Sequence, residues 1–281
     1  MSGRGRTLAA AARLGRVRLG LALVVLVVLV AVVGPLVAPH DPDAFVAPPS
    51  SGPASGAALG ADVLGRDVLS RFLSGGRAIL AMSVLATVAG VGAGAAAGIA
   101  AAIRGGWIDE LVMRTADVLL AIPQVVLVLL GVAALGPQLW LIVLLVALAN
   151  APRVARVARG TALEIAQRDF VRAAEAAGES SLRIATHEVL PSAADALLVE
   201  FGLRLTVSIA LVASVGFLGF GLQPPASDWG LMINENRLAI TAQPWSVVLP
   251  VVAVGVLTVG VNLVTDGLSR AAAGLDRAGR A

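Results

Sequence analysis

The sequence predicts an all-α membrane protein with six transmembrane helices and both termini in the cytoplasm. Three observations predict it. Hydrophobic residues make up 58% of the 281 and charged residues only 14%, where a soluble domain carries about 25% charged residues. The apolar residues fall in runs near the roughly 20 residues that a helix needs to cross the hydrocarbon. The positive charges concentrate in alternate connections, as expected when arginine and lysine are held on the cytoplasmic side.

What the chain lacks narrows its chemistry. It has no cysteine, which excludes disulfides, thiolate nucleophiles and iron–sulfur ligation. It has no lysine, and all 21 cationic side chains are arginine. The phosphate-loop lysine of ATPases and any Schiff-base lysine are therefore excluded. In so apolar a chain the arginines speak for topology, and no nucleic-acid partner is expected. His40 and His187 each stand without a neighbouring cluster of ligands, so no metal site is expected.

Residues 1–18 form a basic cytoplasmic N-terminus holding Arg4, Arg6, Arg13, Arg16 and Arg18 and no acid. Residues 19–38 are the first span. A cleaved signal peptide is the alternative, but the run is long and Pro35, Pro39 and His40 stand where a small-residue cleavage site would. Residues 39–77 are an extracytoplasmic linker, irregular over its Pro- and Gly-rich first part. It ends in an interfacial segment in which Leu64, Val68, Leu69, Phe72 and Leu73 share one face of a short helix lying on the membrane surface. That segment carries the mixed charges Asp62, Arg66, Asp67, Arg71 and Arg77.

Residues 78–270 are the five-helix core. The second span, 78–103, has Gly90, Gly94 and Gly98 one turn apart, a pattern for close helix contact. Residues 104–117 read as a short polar turn. The third span, 118–135, is kinked at Pro123. The fourth runs from 139 to about 157, the fifth over 197–222 and the sixth over 246–264, with residues 271–281 as a cytoplasmic tail. Glu200 and Arg204, at i and i+4 in the fifth span, read as an ion pair. The outer segment 223–245 holds Trp229 and Trp245, both read as interfacial anchors.

Between spans four and five lies a loop, 158–196, whose segment 161–191 reads as two short helices. Leu163, Ala166, Phe170, Ala173, Ala174 and Ala177 recur at helical steps on one face. Gly178 supplies a stop, Ser180 an N-cap for the second helix, and Pro191 its far limit. Such a helix pair on a short tether suits docking into another protein's groove; an ordinary solvated connection has the same pattern. The arginine count fixes its side. With the N-terminus inside, Arg104, Arg114, Arg153, Arg156, Arg159, Arg168, Arg172, Arg183, Arg270, Arg277 and Arg280 join the five of the N-terminus inside. Only Arg66, Arg71, Arg77 and Arg237 fall outside.

With those elements placed, the residues carry a family resemblance. The loop FVRAAEAAGESSLRIATHEVLP resembles the cytoplasmic E-A-A loop of the inner-membrane permeases of binding-protein-dependent ABC importers. Ala173, Ala174 and Gly178 match at the family's spacing, as do Leu190 and Pro191, while Arg172 replaces the leading glutamate. Three further blocks, LGADVLGRDVLSRFLSGGR, GGWIDELVMRTADVLLAIP and GFLGFGLQPPASDWGLMINENR, are similar to the dipeptide/oligopeptide/nickel branch. Their order fits the second (DppC/OppC-like) permease.

The resemblance implies a type I ABC importer permease fold in the cell inner membrane. It implies a homologous second permease, two ABC ATPase subunits that use ATP and Mg, an extracytoplasmic substrate-binding protein, and no cofactor on this chain. Arg168, Arg172 and Glu175 would pair with an ATPase, Phe170 would be an apolar anchor, and Ala173, Ala174 and Gly178 would shape the coupling helix. Ser83, Thr87, Asn150, Ser208, Ser214 and Asn262, polar residues within spans, either line the route or bond helices together. A self-sufficient ion-coupled secondary transporter is the alternative, but the spans show neither acids for a proton relay nor an inverted repeat of broken helices. No nucleophile–base pair marks a membrane-embedded enzyme.

Overall fold

The computed structural model describes residues 15–53 and 56–272. Arg4, Arg6, Arg13, Arg277 and Arg280, assigned above to the cytoplasmic ends, lie outside the described residues. The helices in order are α1 Gly15–Val37, α2 Val68–Ser74, α3 Gly76–Arg104, α4 Gly106–Ala121, α5 Gln124–Leu135, α6 Leu139–Ala166 and α7 Asp169–Ala176. They continue with α8, Ser181–Phe217, then α9 Trp229–Asn236 and α10 Trp245–Ala272. Among the described residues there are no strands, only isolated bridges pairing Phe45 with Arg66 and Ala61 with Asp67. Among the described residues five helical stretches are long and apolar enough to cross a membrane, and α4 with α5 makes a sixth if that bent pair is one span.

The bundle is built on small residues. A methyl placed on Gly90, Gly94 or Gly98 of α3 would fall 2.8, 2.5 or 2.2 Å from the carbonyl oxygens of Ala147, Ala151 and Ala155 on α6. The expected glycine face is thus the seam between the second and fourth spans, where bare backbone permits close packing. α1 seats on α10 in the same way, Gly20 facing the Gly260 carbonyl oxygen at 2.7 Å from where a methyl would lie. Pro35, inside α1, has no N–H to give to the Ala31 carbonyl. Arg77 supplies the missing donor, its Nε reaching Ala31 O at 3.2 Å and its Nη2 Val32 O at 2.7 Å.

Two apolar cores result. The larger joins α1, α3, α5, α6, α8, α9 and α10 around Ile79, Met82, Val128, Ile142, Ile209 and Trp229. The second, around Ile99, Val154, Ala158, Ala162, Ile165, Val171, Ile184 and Val189, lies under the loop between α6 and α8.

Several expectations are corrected. The polar turn at 104–117 is instead most of α4, since after Gly105 nothing in WIDELVMRTADVLLA breaks a helix. At Pro123 the chain does not merely kink: α4 and α5 meet at 86°, because Ile122 is extended before the proline. α6 runs to Ala166, nine residues beyond the expected end, its last turns being amphipathic and packed on the second core. Pro191 does not end a helix. The backbone widens to π geometry over Ile184–Val189 and passes through Pro191 at the start of Leu190–Phe217. A wide turn there accommodates a ring that would clash with the carbonyl four residues back.

Candidate functional site

The loop after α6 breaks at Gln167 and Arg168. Arg168 is extended and serves as the N-cap of α7. The periodic face drawn across 163–177 is therefore split between two helices. Within α7 the side that faces the protein is Val171, fully buried against the second core, with Ala174 partly buried beside it. Val171 was missed; its signal was being the only large apolar residue in DFVRAAEA besides Phe170. Phe170 is 41% exposed and is not among the residues packed on that core. Arg168, Arg172, Ala173, Glu175 and Gly178 are exposed.

α7 ends as its sequence dictates. Gly178 has φ +78°, the left-handed conformation that glycine adopts without a steric penalty. Its N–H donates to Glu175 O at 3.0 Å and the Glu179 N–H to Ala174 O at 3.1 Å, closing a Schellman turn. The Ser180 hydroxyl accepts from the Arg183 N–H at 3.4 Å, starting α8 as expected. Arg168 lies 3.8 Å from Glu164 and Arg183 3.4 Å from Glu179, exposed pairs of little energetic weight. Among the described residues no ion pair engages Arg172 or Glu175. The loop thus presents a rooted helix with one aromatic ring and open charges of both signs.

The polar residues inside the spans fall into two groups. Ser83, Thr87, Asn150 and Ser208 are fully buried and meet where α3, α6 and α8 pack. Thr87 Oγ1 donates to Ser83 O at 2.7 Å, the Thr87 and Ser208 hydroxyls lie 2.8 Å apart, and Asn150 Nδ2 donates to Ser208 Oγ at 2.9 Å. A hydroxyl has one proton, so with Thr87 committed to the carbonyl it is Ser208 that donates across the gap. Ser214 is partly buried and bonds its own helix at Ala210 O, 2.7 Å away. Asn262 is exposed and accepts from Thr206 at 3.1 Å. Glu200 and Arg204 form the expected pair at 2.8 Å.

The linker holds a charge cluster that the sequence reading did not find. Arg71, fully buried, donates from Nη1 to Asp62 at 2.9 Å and to Glu235 at 2.5 Å. Arg66 reaches the same carboxylates at 2.8 and 2.6 Å. Two cations and two anions thus neutralise one another across 164 residues of chain. α2, the short helix of the expected interfacial segment, is held against the rest of the protein by this cluster. Trp229 is no interfacial anchor: it is fully buried, stacked on Phe72 at 5.6 Å, with its Nε1 donating to Phe72 O at 2.8 Å. Trp245, 43% exposed, remains at the surface.

Beside the cluster, Asp228 caps α9, accepting from the Gly230 N–H at 2.9 Å and the Leu231 N–H at 3.2 Å. Burial pushes its carboxyl up to about 6, opposed by those N–H groups and by the Arg71 charge. Gln243 completes the closure, donating to Ser51 O at 2.8 Å and Leu59 O at 3.0 Å.

A bundle of helices long and apolar enough to cross a membrane, with an exposed helix rooted where α6 ends, defines a multi-pass membrane protein. Residues 90–273 match the model of the binding-protein-dependent transport system inner membrane component, and the chain belongs to that family. It is 36% identical over 242 residues to the glutathione transport system permease protein GsiD of Escherichia coli O6:K15:H31, covering 85% of this chain and 80% of that one. The same protein of Shigella boydii serotype 4 gives the same figures. That of Pectobacterium atrosepticum is 35% identical over 214 residues, 76% of this chain and 71% of its own.

The chain is therefore a multi-pass inner-membrane permease of type I fold, one subunit of a binding-protein-dependent ABC importer. Such a permease works with a second permease, with ATPases and with an extracytoplasmic binding protein; ATP and Mg belong to the ATPases.

Proposed function

We propose that the chain forms half of a translocation pathway for a short peptide or a related small solute, and that α7 is the helix by which ATPase subunits drive it. The N-terminus, the α6–α8 loop and the tail lie in the cytoplasm on this reading, as the arginine distribution supports. The relatives support the solute class, since glutathione is itself a small peptide.

One observation carries the coupling role. Val171 fixes α7 to the core at the junction of α6 and α8, while Phe170 on the same helix stays open. Phe170 is the apolar anchor for an ATPase groove, and Arg168, Arg172 and Glu175 flank it with charge. Arg172 replaces the family's glutamate, so the pairing partner on the ATPase has the opposite sign or the role passes to Glu175. The route itself forms against the second permease. Ser214 is the pathway candidate with partial exposure; Ser83, Thr87, Asn150 and Ser208 reach a solute only if α3, α6 and α8 part.

The experiment is to assemble the importer with Phe170→Ala and measure both ATPase retention on washed membranes and peptide uptake. Loss of both, with normal insertion, is expected; retention and uptake at wild-type levels would overturn the reading. Orientation is checked with Leu182→Cys, which in this cysteine-free chain should react with an impermeant maleimide only from the cytoplasmic side.

A further inference from the structure

α4 is seated unlike the helices around it. Of its 16 residues only Ala116 is buried. Along it runs an open apolar cavity of 340 Å³, walled by Ala93 and Ala97 of α3, Leu111 and Thr115 of α4, and Ala151 and Ala155 of α6, which gives the helix room to move.

Both ends of α4 are built to turn. At its start Gly105 and Gly106 have φ +60° and +55°, with no neighbour within 4 Å of where a side chain would stand. At its end Ile122 is extended and the chain bends through 86° at Pro123. Beyond the bend the chain is held fast: Val128 is fully buried, and Gln124 Nε2 donates to Ala149 O at 2.7 Å. The break therefore joins a loose helix to a fixed one.

What grips α4 is a pair of ionic contacts to α6. Asp109 takes both Nε and Nη2 of Arg159 at 2.5 Å, a bidentate geometry that fixes direction as well as distance. Asp117 takes Arg156. Both arginines lie on the stretch of α6 whose next turns, through Ala162 and Ile165, share the second core with Val171 of α7.

We infer that α4 is a swinging arm: displacement of α7 is carried along α6 and through Arg159–Asp109 to α4, which pivots on Gly105–Gly106 and Ile122–Pro123 and closes into the cavity along it. Arg159 and Asp109 are thus positioning residues that transmit the power stroke to the broken third span. The inference rests on reading α7 as the ATPase-docking helix, and the two are separable by experiment.

The test uses the complete importer in membranes. Thr115→Cys is introduced, the assembled complex is treated with benzyl methanethiosulfonate, and labelling is followed by mass. The tag fills the cavity in protein already folded. Uptake should fall about tenfold while ATPase stays bound and hydrolyses ATP, and reductant should restore it. In parallel, Asp109→Arg and Arg159→Asp singly should each lower uptake about tenfold, and the double swap should recover most of it. Tagged complex transporting as fast as untagged, or single charge reversals without effect on uptake, would overturn the arm. Failure of the docking reading shows separately, as unchanged ATPase retention and uptake in Phe170→Ala.

Discussion

On the linker side of the molecule two arginines and two carboxylates close on one another inside the protein, whereas around α7 arginines and glutamates stand in the open. Arg71 and Asp62 are fully buried and Arg66 nearly so; Arg168, Arg172 and Glu175 are exposed, and among the described residues only Arg168 of the three has an ion-pair partner, at 3.8 Å. Both segments looked alike as sequence, short amphipathic helices with mixed charge. The difference is whether the counter-charges are supplied by the same chain. A closed set holds the fold together; an open set, on the function proposed above, is left for a partner. Buried pairs are costly to break and exposed ones nearly free, so the two regions should respond to mutation in opposite ways.

The largest effect is expected at the closed set. Arg71→Ala leaves Asp62 and Glu235 facing each other with one cation lost, and should destabilise the protein by about 3–5 kcal/mol. Denaturation of the purified permease in detergent reads this; a loss below about 1 kcal/mol would mean the cluster is not closed. Phe170→Ala should do the reverse, shifting stability by no more than about 0.5 kcal/mol while weakening ATPase retention by roughly 2 kcal/mol, the cost of removing an interface anchor.

Gly178→Val forces a β-branched residue to φ +78°. That should cost about 1–3 kcal/mol locally and reduce ATPase retention without preventing membrane insertion. Retention equal to wild type would show that the Schellman turn does not set the angle of α7.

The smallest effect sharpens the closed set through pH. Asp228 is held near 6 by burial, against 3.8 as its ordinary value. Because the folded value is the higher, its contribution to stability is complete below about 4 and is lost as pH rises through about 6. The permease should therefore be about 1 kcal/mol more stable at pH 5 than at pH 7.5 through this group. Asp228→Asn keeps a side-chain acceptor for the α9 cap and should flatten that dependence. An unchanged slope would assign it to another group.

Much of this architecture could be read from residue order. The spans follow from hydropathy, which depends only on composition along a window. The loop's stop at Gly178 and cap at Ser180 are local backbone chemistry. The glycines of α3 announced a close seam, though not that α6 was its other half.

What could not be read depends on geometry between distant residues. Nothing local to Asp62 indicates that Glu235 faces it, and nothing local to Trp229 tells a buried ring from an interfacial anchor. The break at Gln167 was hidden because Ala166, Phe170 and Ala173 keep a helical spacing across it. A proline marks a bend but not its angle, and the 86° at Pro123 also depends on where α5 is held, by buried Val128 and by Gln124 on Ala149 O. The candidate site was thus legible as a segment, while its inward anchor, Val171, was not.

The seat of α1 on α10 has a consequence for biogenesis. Gly20 emerges from the ribosome first and Gly260 more than two hundred residues later, yet the two backbones touch in the finished protein. The leading helix must wait in lipid, with its glycine face uncovered, while all the others are inserted. Only once α10 is in place can the Gly20 face find its seat.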